Sequence, residues 1–222
     1  MSGSERTPPE LCLITNRHLS AGALEARVEK IMIAGASRVI LREKDLPDRD
    51  LLVLARALAE VAARRARRLI INSSLEAAAE TRAWGLQLPF EDFLRRRNDR
   101  RLKPFKIGVS VHSLREAQAA ERLGADYLLA GHIFSTECKA GRPGRGLDFI
   151  RRLKAGMNIP LWVVGGILPG NARQAVWAGA DVVCVMSTLL ESPEPEKLVG
   201  AYLKSMAGSV DGADPYYTGR RK

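Results

Sequence analysis

Gly165, Gly166 and Ser187 are the residues at which this sequence is best equipped to hold an anion. Val163-Val164-Gly165-Gly166-Ile167 ends an apolar run with bare backbone, which lets a ligand approach the peptide amides closely. Val185-Met186-Ser187-Thr188 ends another run and opens a helix, whose first amides are unpaired and carry the positive end of the helix dipole. Together Gly165, Gly166, Met186 and Ser187 compose a phosphate cradle. Arg42 and Lys44 follow a third run and suit a phosphate or carboxylate, Arg as a fork and Lys as a point charge. If the strand continues through them, both side chains project into one mouth and Glu43 turns aside.

His132 adds acid–base chemistry. It follows residues 126–130 and Gly131 and introduces a stretch, 133–146, rich in Gly, Lys and Arg. An imidazole titrates near neutrality and can both give and take a proton. The other histidines carry less. His18 has no neighbours that demand chemistry, and His112 directly precedes Ser113-Leu114-Arg115-Glu116, a capping box that opens a helix. Cys138 is near enough in sequence to meet His132, but no third group is there to orient a nucleophilic pair. Cys12 and Cys184 read as small core residues.

These side chains meet only if the chain closes on itself. Short apolar runs recur at residues 11–15, 38–41, 69–72, 85–88, 106–111, 126–130, 161–165 and 181–186, each followed by a helix-length stretch. Eight such units indicate a single (βα)8 TIM barrel within an α/β class, with an open doubly wound sheet as runner-up. Ala34-Gly35-Ala36-Ser37, Leu123-Gly124-Ala125-Asp126 and Ala178-Gly179-Ala180-Asp181 repeat one device, a glycine that ends a helix before the next strand. Barrel sites lie at the C-terminal ends of strands. Thr15, Asn72, Gln87 and Ser110 end runs there and join the candidate rim, Asn72, Gln87 and Ser110 as substrate-binding residues. Residues 1–9 are expected to form a flexible tail, 10–206 the barrel and 207–222 a disordered tail.

Composition narrows the classes. The chain has 222 residues and a formal net charge of +10, much of it in clusters such as Arg64-Arg65 with Arg67-Arg68. Aromatics make up only 5% and no stacking module appears, so nucleic acid is not an expected partner and the clusters read as solvated helix faces. There is no membrane-length apolar run and no leader-like start, and the three cysteines lack metal-type spacing. The expected location is the cytoplasm. Ala- and Leu-rich helices would support a homodimer.

With these residues assembled, the chain resembles the thiamine phosphate synthase superfamily from Leu11 to about Met206. The carriers are Leu41-Arg42-Glu43-Lys44-Asp45, Gly108-Val109-Ser110-Val111-His112-Ser113, Val164-Gly165-Gly166-Ile167 and Val185-Met186-Ser187. Within it the chain looks most like the thiazole tautomerase (TenI type) branch, through Gln87-Leu88-Pro89 and Gly131-His132-Ile133-Phe134. The synthase branch joins a pyrimidine pyrophosphate to a thiazole phosphate and uses Mg²⁺ on two aspartates. One would follow Asn72, where Ser73 stands; the strand-four stretch keeps only Glu91-Asp92. The resemblance therefore implies an isomerase. It would aromatise a carboxylated thiazole phosphate by proton transfer through His132, with no metal or organic cofactor. Phosphate would sit on Gly165, Gly166 and Ser187, and Lys139 joins the substrate-binding set. A Mg²⁺-dependent synthase, or a non-catalytic barrel that binds thiazole phosphate, are the alternatives.

Overall fold

In the computed structural model, which describes residues 8–20, 22–135 and 143–208, each apolar run becomes a strand. The strands are β1 (Glu10–Ile14), β2 (Arg38–Leu41), β3 (Arg68–Asn72), β4 (Gly85–Pro89), β5 (Lys106–Val111), β6 (Tyr127–Gly131), β7 (Leu161–Val164) and β8 (Val182–Val185). Every one pairs in parallel with the next, and β8 returns to β1, so the sheet closes as a TIM barrel. All strand ends fall within one residue of those expected. The helices are α1 (Leu24–Ile33), α2 (Asp48–Arg64), α3 (Leu75–Glu80), α4 (Phe90–Arg96), α5 (Leu114–Arg122), α6 (Leu147–Gly156), α7 (Pro169–Trp177), α8 (Ser187–Glu191) and α9 (Pro195–Ala207).

Alternation along each strand divides the core in two. One set, including Leu11, Leu13, Val39, Leu41, Leu86 and Leu88, packs outward against the helices. The other fills the barrel: Cys12, Ile14, Ile40, Ile70, Tyr127, Leu129, Trp162, Val182 and Cys184. Cys12 and Cys184 are register partners here and act as small core residues, burial pushing the Cys12 thiol upward. The repeated helix-ending glycines, Gly35, Gly124 and Gly179, all have positive φ, as the sequence repeat required. Ser113 accepts from the Glu116 amide at 3.1 Å, and Glu116 accepts from the His112 amide at 2.6 Å, so His112 belongs to the start of α5. None of the described helices is long and apolar enough to cross a membrane.

The barrel interior is organised by aromatic rings. Tyr127 and Trp162 stack with centroids 3.9 Å apart, and Trp84 lies 6.2 and 6.4 Å from them. Two arginines, Arg68 from an expected solvated cluster and Arg38 from a strand run, meet this feature. Arg38 is buried, and the Arg68 guanidinium lies 4.8 Å over the Trp84 ring, because both residues begin strands rather than cover helices. Gly108 on β5 makes room for the stack, since a Cβ there would lie 2.1 Å from Tyr127 Cζ. Gly108→Ala should therefore lower unfolding stability by about 1–3 kcal/mol, as overpacked cores do. Urea denaturation measures this, and an unchanged midpoint would show that Tyr127 yields freely.

Candidate active site

Inward alternation carries a polar layer to the C-terminal rim. Gln87, on β4, is 1% exposed and donates through Nε2 to Ser110 Oγ at 3.0 Å. Asn72 pairs in register with Gln87 and donates to Ser73 Oγ at 3.0 Å. Thr15, fully buried, accepts from the Arg42 amide at 2.9 Å and so ties the ends of β1 and β2. Met186, the residue before α8, packs on the inner cluster. Gln87 Oε1 is buried and has no hydrogen-bond partner among the described residues. That oxygen faces Gly108 on β5, where a Cβ would lie 2.3 Å from it.

The turn after β7 is held from three sides. Gly165 and Gly166 have φ of +109° and +63°, and a Cβ on Gly166 would meet the Ser135 carbonyl at 2.5 Å. The turn therefore lies directly against the segment after β6, where Phe134 donates its amide to Gly165 at 2.9 Å. Asn171 on α7 clamps it further, donating to the Gly166 carbonyl at 3.0 Å and accepting from the Leu168 amide at 2.8 Å. From α9, the buried Tyr202 hydroxyl donates to the Ile167 carbonyl at 2.8 Å. Burial pushes the Tyr202 hydroxyl up to about 12, a bond with Thr188 opposing the rise. Tyr202 thus touches the turns after both β7 and β8. Sequence reasoning missed Asn171 and Tyr202. Asn171 had a signal, an amide three residues after a strand-end turn, whereas Tyr202 had none.

The Arg42-Glu43-Lys44 triplet departs from expectation. β2 ends at Leu41, so strand alternation stops before it. Glu43 is not turned aside but buried, accepting from the Arg17 amide at 3.0 and 3.1 Å and from its guanidinium at 3.4 Å. Arg17 also forks onto Asp45 at 2.6 and 2.7 Å, and His18 Nε2 lies 2.8 Å from the same carboxylate. The Arg17 fork and His18 hold the Asp45 carboxyl well below the usual carboxylate range. Arg42 is half-buried and Lys44 exposed, so Arg42 is the better placed of the two.

His132 is also placed differently from an open rim base. It is 7% exposed with φ of +60°, and its backbone is what forbids a side chain at Gly165, 2.8 Å away. The residue is a packed corner between β6 and the Gly165 turn. Lys139 and Cys138 lie outside the described residues.

A profile of the thiamine monophosphate synthase (TMP-TENI) family matches residues 11–189. This chain belongs to that family. Thiamine-phosphate synthase from Moorella thermoacetica is 40% identical over 166 residues, covering 73% of this chain and 79% of that protein. Thiamine-phosphate synthase from Methanospirillum hungatei is 33% identical over 187 residues, covering 83% and 91%. Among solved structures, thiamine phosphate pyrophosphorylase from Pyrococcus furiosus superposes with TM-score 0.78 at 27% identity, covering 89% of this chain and 95% of that one. These relatives overturn the tautomerase expectation, and the proton-carrier role for His132 falls with it. Gln-Leu-Pro and Gly-His-Ile-Phe are short local features, and likeness along the whole barrel outweighs them.

The family's metal does not find its two carboxylates here. Ser73 stands after Asn72, its hydroxyl accepting from that residue and its carbonyl 3.5 Å from Arg96 Nη1. Asp92 is ion-paired with Arg95, and no cluster of three metal-ligating side chains occurs among the described residues. A hard dication relies on such oxygens, so these residues do not fit it.

Two results should follow from the turn. Gly166→Ala, forced to keep a positive φ against two carbonyls, should lower stability by about 1–3 kcal/mol and weaken inorganic phosphate binding, measured by calorimetry. Tyr202 should contribute full stability below pH of about 10, the ordinary tyrosine value, and lose it as pH rises toward about 12. Alkaline unfolding of Tyr202→Phe should lack that added loss.

Proposed function

We propose that this chain is a transferase that makes thiamine phosphate from a pyrimidine pyrophosphate and a thiazole phosphate. The 40% identity to the Moorella enzyme carries this reading. In the reaction a thiazole nitrogen bonds to the pyrimidine methylene carbon as its C–O bond breaks, and pyrophosphate leaves with the electron pair. The turn at Gly165-Gly166 and the start of α8 at Ser187 suit the thiazole phosphate, since bare amides and a helix start favour an anion. Holding that phosphate fixes the nucleophile's distance from the carbon it attacks. Arg42, at the end of β2, suits the charge that grows on pyrophosphate, and Gln87 and Ser110 form a polar floor for the pyrimidine.

The loss of the paired carboxylates at Ser73 supports a second reading, a barrel that binds thiazole phosphate without transfer. The two part in one assay. The protein is given both substrates in magnesium-containing buffer, and thiamine phosphate is followed by chromatography. The transferase reading expects accumulation well above the protein-free control, and a loss of about 10²-fold or more in kcat/KM for Arg42→Met. Thiazole phosphate binding with no product would overturn it in favour of the second.

A further inference from the structure

At the end of the barrel opposite the rim, the strand starts enclose a cavity of about 650 Å³. A barrel floor that served stability alone would be filled by branched apolar side chains. This one is walled by Trp84, Tyr127 and Trp162 together with Arg38, Arg68 and Lys106.

The charges at this end are unequally satisfied. Lys106 pairs with Asp126 at 2.8 Å and Lys154 with Asp181 at 2.7 Å. Both aspartates also accept strand amides, from Ile107 and Leu161, each at 2.8 Å, so these pairs belong to the scaffold. The arginines differ. Arg38 is 5% exposed, has Glu10 as its carboxylate partner, and leaves its Nε without a hydrogen bond. Its guanidinium lies 5.5 and 5.2 Å from the Trp84 and Trp162 ring centres. Arg68, exposed over Trp84, has no carboxylate partner among the described residues. Burial, with the nearby Arg68 adding to it, pushes Arg38 down to about 10.

We propose that this cavity is a second ligand site, distinct from the candidate active site, that takes a small flat aromatic ring bearing a phosphate or carboxylate. The ring lies beside Trp84, half-buried in the cavity wall, and the anion sits at Arg68. Arginine is suited to both parts of this recognition, since its planar fork binds oxyanions and stacks on indole. Trp84 gives the ring an apolar, electron-rich surface.

The test titrates the full chain with 2-naphthyl phosphate by calorimetry, with 2-naphthol and inorganic phosphate as probes that each lack one half. The whole probe should bind at least ten-fold more tightly than 2-naphthol, and an equal concentration of inorganic phosphate, which the rim turn is expected to hold, should not displace it. Arg68→Gln should weaken it by roughly ten-fold or more, the loss of one charge-assisted contact. Arg68 is exposed, so this variant should keep the parent thermal midpoint. Trp84→Leu should weaken the probe and leave inorganic phosphate affinity unchanged, whereas Arg42→Met at the rim should leave naphthyl phosphate affinity unchanged. No heat at millimolar probe, or binding reduced by Arg42→Met but not by Arg68→Gln, would overturn the proposal.

Discussion

Closing eight strands into a barrel brings Tyr127 and Trp162 face to face at 3.9 Å, and the remaining interior is arranged around that contact. An aromatic side chain buries about 150–250 Å², which at about 25 cal/mol per Å² amounts to roughly 4–6 kcal/mol per ring before entropy is counted. Two such rings in one layer leave no volume beside Tyr127 on the neighbouring strand β5, hence Gly108. The layer above is left to Gln87 and Ser110, polar side chains that hold each other. The stack thereby separates two chemically different ends, an aromatic and cationic floor and a polar rim.

The rim turn shows how distant sequence converges on one backbone feature. Gly165 and Gly166 are bare because the His132–Ser135 backbone lies where their side chains would be. That contact packs the turn, and Asn171 and Tyr202 hold the carbonyls of Gly166 and Ile167. The C-terminal helix α9 is part of the site in this sense, although none of its residues needs to touch a ligand. His132 follows the same logic. Its strand-end position suggested a base, but the left-handed conformation and burial there serve the approach of two chain segments.

Net charge of +10 is spread over both ends, and pairing decides which parts of it remain available. Arg17 is consumed by Glu43 and Asp45, whereas Arg68 lies over an indole and has no carboxylate partner among the described residues. Surface pairs contribute little to stability, so the unpaired cations matter more for the anions they attract than for the fold.

The sequence alone determined the barrel. Its strands are buried on both faces, so they read as continuous apolar runs, and three glycine repeats mark helix ends; both signals are local and survive in one dimension. The tight turn at Gly165-Gly166 was legible for the same reason, as two adjacent glycines at a strand end. Family membership was legible too, but the tautomerase reading of the branch rested on short motifs around His132 and Pro89, and the synthase relatives matched over most of the chain speak against it. What remained for the tertiary structure were contacts between residues far apart in the chain. Glu43 buried under Arg17, Tyr202 reaching Ile167, and Arg38 with Arg68 against Trp84 all depend on barrel closure. No spacing along the chain encodes them, since each arises only when barrel closure brings segments distant in sequence side by side.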